Sequence, residues 1–140
     1  MTGRRASRKR ILDVREKQMR VAMGHAAVAQ HHEAELTSNR DRLRLLCAST
    51  YETLDCDTGH SLHAQMELGQ RLLRAEDALH TALDTARQKL AEAERQRTAA
   101  RVDREAAQKL MAKAERESED AEIRKQAMMP RHRRTPNSDL

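Results

Sequence analysis

Apolar residues recur every seven positions along the second half of the chain: Leu72, Leu79, Ala86, Ala93, Ala100, Ala107, Ala114, Ala121 and Met128. A helix with such a repeat has to supercoil around a partner to keep the stripe buried, so the pattern predicts a coiled coil. A second stripe, Leu12, Met19, Ala22, Ala26, Ala29, Leu36, Leu43, Cys47 and Leu54, predicts a first helix over about 7–53. Val14, Val21 and Val28 are expected to widen its apolar face. Between the stripes, Leu54-Asp55-Cys56-Asp57-Thr58-Gly59-His60-Ser61 collects the residues that favour turns, so the chain is expected to reverse at about 54–61. Ser61 is the expected cap of a second helix over about 61–128, which Pro130 ends, and 130–140 reads as a disordered tail.

A short connection between two long helices makes them antiparallel neighbours. Setting Leu54 against Leu62 gives a register in which paired residue numbers total about 116. That register places Ala22 and Ala29 opposite Ala93 and Ala86, Leu43 opposite Leu72 and Leu73, and Arg40 opposite Glu76. It also leaves 105–128 overhanging by roughly 36 Å. Ala107, Met111, Ala114 and Ala121 nevertheless continue the stripe, which implies contact with another chain or with 2–11 folded as helix. The expected fold class is all-α: a two-helix antiparallel coiled-coil hairpin with a longer second helix and flexible basic termini, forming one domain over 1–129.

Composition narrows the picture further. Charged residues make up 35% of the chain, Phe and Trp are absent, and Tyr51 is the only aromatic, so an ordinary globular core cannot be assembled. The least polar stretch, Val21 to Ala29, is too short to span a bilayer and contains His25, and the basic start lacks a signal-peptide apolar region. These readings predict a soluble cytoplasmic protein without membrane insertion, with Cys47 and Cys56 as free thiols. Arg4 to Arg10 contribute five positive charges and the tail after Met129 a net two, leaving the middle at minus two. In a hairpin both termini lie at one end, so that end is expected to be basic and suited to an acidic partner surface.

Candidate chemistry is sparse. Cys56, Asp57, His60 and His63 are metal-ligand types crowded at the turn, with His25, His31 and His32 on the first helix, but zinc sites use two paired Cys or His couples and only one loose cluster occurs here. No metal site and no cofactor is expected. Phosphate loops, nucleophile elbows and zinc-protease motifs are absent, so the chain reads as a non-enzyme with no small-molecule substrate. A basic segment leading into a heptad coil is the outline of a basic zipper. Here it is brief, lacks a base-reading Asn and precedes an Ala-rich seam, so nucleic-acid binding is a lesser alternative. Arg-Arg-Ala-Ser at positions 4–7 has the form of a basic phosphorylation site.

The chain resembles the small stalk proteins of type III secretion and flagellar export ATPases, the FliJ and YscO type. The likeness is carried by its length, by the basic start running into Arg10-Ile11-Leu12-Asp13-Val14-Arg15-Glu16, by Tyr51 just before a central turn, and by the Ala- and charge-rich second helix. The resemblance implies a non-catalytic shaft whose two-terminus end enters a hexameric ATPase, whose body approaches an export gate protein, and which also handles export chaperones. Carried onto this sequence, it implies partner contacts through Arg8, Arg10, Arg15, Arg101 and Arg104, with Ala107, Met111 and Ala114 as small or flexible surface. The competing class is a coiled-coil scaffold that self-associates through the stripe from Ala107 to Ala121.

Overall fold

The computed structural model describes residues 2–52 and 58–129, which form two helices, α1 (Thr2–Glu52) and α2 (Gly59–Met128). They pair antiparallel as a two-helix hairpin, the arrangement that the seven-residue repeat demands. Ala, Leu, Arg, Glu, Lys and Gln dominate both helices, and no proline occurs before Pro130, so intrinsic propensity and seam agree. The expected turn residues 54–57, the Leu54 pairing, Pro130 and the tail lie outside the described residues.

Both helices begin earlier than the sequence suggests. α1 starts at Thr2, not near Ser7, because its first turns have a surface to lie on: Arg5 approaches Glu115 at 3.7 Å and Arg8 Nη1 donates to the Leu110 carbonyl at 3.1 Å. At α2 the cap is Thr58. Its Oγ1 accepts the Ser61 amide at 3.3 Å, and its carbonyl accepts the Leu62 amide at 3.2 Å and the Ser61 hydroxyl at 2.7 Å. Ser61 is therefore the third helical residue, where it supplies the orphan N–H that an N-cap side chain satisfies.

The helix contacts divide into two compact units. In the unit Gln18–Ala100 the buried core is Ala26, Leu83, Ala86 and Ala93, flanked by half-buried residues at alternating three- and four-residue steps, such as Met19, Ala22, Ala29 and Leu36 on α1 and Leu72, Leu79 and Leu90 on α2. Both steps are needed for a closed seam. The valines correct the expectation of a widened face: Val14, Val21 and Val28 are 52%, 57% and 71% exposed. Each lies two residues beyond a seam position (Leu12, Met19, Ala26), which is about 200° around the helix.

Register is corrected as well. In this unit Arg44 meets Glu76 at 4.0 Å and Arg87 meets Glu33 at 3.6 Å, each pair totalling 120. A total of 119 puts most of the covered positions of α1 level with covered positions of α2: Ala26 with Ala93, Leu36 with Leu83, Cys47 with Leu72. The expected pairings of Ala22 with Ala93, Ala29 with Ala86 and Leu43 with Leu72 thus shift by four residues, to Arg97, Leu90 and Glu76. Arg40 hydrogen-bonds its neighbour Asp41, at 3.1 and 3.2 Å, and Glu76 goes to Arg44. The expected total of 116 rests on pairing Leu54 with Leu62, and Leu54 lies outside the described residues.

The other unit is built from residues up to Lys17 and from Arg101 onward. Here the cross-helix pairs Arg8 with Leu110 and Arg15 with Asp103 total 118, and Arg5 with Glu115 totals 120. Ala107 and Ala114 are 6% and 8% exposed, so the stripe beyond residue 105 is occupied by the start of α1. With α1 beginning at Thr2, α2 outruns it only from about residue 118. The overhang shrinks from the expected 36 Å to roughly 15 Å, and Met128, the last rung of the ladder, is 83% exposed.

Candidate functional site

The expected partner-binding residues all fall in the unit that contains both the start of α1 and the end of α2. Positive charge there is one-sided. Between Thr2 and Lys17, Arg4, Arg5, Arg8, Lys9, Arg10, Arg15 and Lys17 face only Asp13 and Glu16 in sequence, whereas α2 from Arg101 to Met128 balances seven basic with seven acidic residues. The first four turns of α1 are thus a basic strip laid along a neutral helix.

Individual side chains divide into seam and surface. Arg8, Arg15 and Arg104 occupy seam positions and are half-buried. Arg8 is held by the Leu110 carbonyl and Arg15 by the Asp103 carboxylate at 3.0 Å. Arg104 Nε is buried and has no hydrogen-bond partner. Arg10 is exposed, and Arg101 is exposed with its guanidinium 3.0 Å from Glu105 one turn on. Ala107 and Ala114 are buried and Met111 half-buried, so these three serve the pairing of α1 with α2. What this unit offers outward is Arg4, Arg5, Lys9 and Arg10, with Glu117 and Ser118 beside Arg4 and Arg5 across a shallow cleft.

A second surface escaped the reading of the sequence. In the unit Gln18–Ala100 an open groove of about 310 Å³ is lined by Cys47, Thr50, Tyr51, Leu62, Met66, Gly69 and Leu73. Tyr51, Leu62, Met66 and Leu73 are 48–61% exposed, and Gly69 lies at a seam position where it supplies no side chain to fill the space. The signal was the absence of charge: 45–51 and 60–66 carry no Lys, Arg, Asp or Glu in a chain that is 35% charged. Apolar side chains spaced by four and seven along one side of α2, next to Tyr51, form the kind of trough in which an amphipathic helix packs.

Among the described residues no three His, Cys, Asp or Glu side chains come together as a metal site, and no helix is long and apolar enough to cross a membrane. Cys47 is a free, half-buried thiol; Cys56 and Asp57 lie outside the described residues. Ionisable groups of the described helices sit at the surface or along the seam, and many have a partner one turn away on the same helix, as Arg71 has Glu67 at 2.6 Å and Arg101 has Glu105 at 3.0 Å. The arrangement is one of surfaces, a basic strip and an apolar groove. No family model matches the chain, and neither a curated protein nor a solved structure matches it.

Proposed function

We propose that this chain is the non-catalytic stalk of a type III secretion or flagellar export ATPase, working in the cytoplasm. Its basic end binds the hexameric ATPase and promotes ring assembly or turnover, while its body reaches the export gate and export chaperones. The observation that supports this reading is the pairing of the basic start of α1 with the far end of α2 through Arg5–Glu115, Arg8–Leu110 and Arg15–Asp103. It makes a slim two-helix element with a small-residue seam and an outward row of Arg4, Arg5, Lys9 and Arg10. Such an element fits inside a ring lined by carboxylates and needs no catalytic group of its own.

A single two-helix element within a six-fold ring must touch its subunits unequally. Differential binding to open and closed subunits then biases nucleotide turnover, which is all that a stalk without chemistry has to do. The test is hydrolysis by the export ATPase of the same organism, with and without the full chain, together with co-purification and the oligomeric state of the ATPase. Binding with stimulated hydrolysis and ring assembly supports the stalk. A chain that neither binds the ATPase nor changes its rate or assembly is a coiled-coil scaffold of another kind.

A further inference from the structure

The seam does not stop where α1 does. Beyond residue 118, α2 continues for roughly three more turns with Ala121, Lys125 and Met128 at the seam positions and nothing of the described chain opposite them. Met128 is 83% exposed. The charges of this stretch are ordered along its length: Glu119, Asp120 and Glu122 come first, then Arg124 and Lys125. A helix that is acidic in its first half and basic in its second is complementary to its own antiparallel copy.

We propose that the ends of α2 from two copies of this chain pair antiparallel, about a two-fold axis near residue 123, and join two molecules end to end. With the axis there, Ala121 lies level with Lys125 of the partner subunit and Ser118 with Met128 of the partner subunit, in the same alternation of core positions that the intramolecular seam uses. Arg124 then stands on the side of the partner's Asp120, and Lys125 on the side of the partner's Glu122. Like charges directly opposite are avoided on both flanks, which is what an isologous contact requires.

Length argues for the same occupant. The stretch left uncovered runs from about residue 118 to Met128, and the partner's own uncovered stretch is by symmetry equally long. The end of the partner's α2 therefore arrives where α1 begins, and the negative end of one helix meets the positive end of another. Nearly half the paired residues are charged, so the contact is weak and salt-sensitive. It also engages the unit that carries the basic strip, so end-to-end pairing and binding of that strip by a large partner compete for space. The pairing itself is independent of the stalk reading.

The experiment is sedimentation equilibrium of the full chain across a wide concentration range, at low and high salt. The wild type is expected to pass from monomer to dimer and to be driven back by salt. The variants Arg124→Glu/Lys125→Glu and Asp120→Lys/Glu122→Lys should each dimerise at least tenfold more weakly, and an equimolar mixture of the two should recover a dimer. Unchanged helical circular dichroism in each variant separates lost pairing from lost folding. A wild type that stays monomeric overturns the proposal. So does a dimer that survives both reversals, which would move the contact to another face such as the groove beside Tyr51.

Discussion

Arg15 and Arg104 share one layer of the seam. Their numbers total 119; Arg15 takes the Asp103 carboxylate at 3.0 Å, while Arg104 Nε stays buried without a hydrogen-bond partner. Burying part of a guanidinium without a partner costs free energy, and like charges in one layer add to the cost. Arg104→Met keeps the stem and removes both penalties. It should stabilise the pairing of the start of α1 with α2 by about 1 kcal/mol. Slower amide hydrogen exchange over 101–118 would show it, and faster exchange there would mean that Arg104 makes a favourable contact instead.

Asp103 is the other half of that layer. Asp103→Asn removes the negative charge that Arg15 pairs with but leaves the shape. The ion pair is half exposed, so the direct loss is small, about 0.5–1 kcal/mol. Its character is the more telling sign: repulsion between Arg15 and Arg104 is screened by salt, so the gap between variant and wild type should narrow from low to about 1 M salt. A gap independent of salt would mean that Asp103 acts through hydrogen-bond geometry alone.

Gly24 and Gly69 sit inside long helices with helical backbone, and a Cβ added at either meets nothing within 4 Å. Glycine loses more chain entropy on folding than alanine does, so Gly24→Ala and Gly69→Ala should each stabilise by about 0.5–1 kcal/mol. The two changes share no neighbours and should add in urea denaturation. Gly69→Ala carries a second consequence, because it places a methyl group at the floor of the groove beside Tyr51. Any helix that docks there should bind the variant less well although the fold is more stable.

The fold class was legible because a seven-residue repeat leaves few choices. Which residues pair was not, since the same repeat satisfies several registers and only the cross-helix ion pairs separate a total of 116 from 119. Arg44 and Glu33, which make two of those pairs, look like ordinary surface charges in the sequence. Of the candidate site, Arg8, Arg15 and Arg104 were visible as basic residues toward the two termini, but the absorption of Ala107 into the seam depended on the register and that of Ala114 on α1 starting at Thr2. The groove beside Tyr51 has no motif in the sequence; its mark is the lack of charge over 45–51 and 60–66.

Leu83 and Val28 separate a true seam position from an apolar residue that merely repeats every seven. Leu83 lies three residues before Ala86 of the alanine ladder, is 1% exposed and is the only large side chain among the described residues buried so fully. Val28 belongs to a seven-spaced row with Val14 and Val21 and is 71% exposed. Leu83→Ala should cost about 2–4 kcal/mol, because the thin seam has no second layer that could collapse into the cavity. Val28→Ala should lie within about 0.5 kcal/mol of the wild type and can be stabilising, since alanine is the better helix former. Urea denaturation followed by far-ultraviolet circular dichroism measures both. Equal losses at the two positions would mean that the valine face is covered in solution and that a further helix packs on α1.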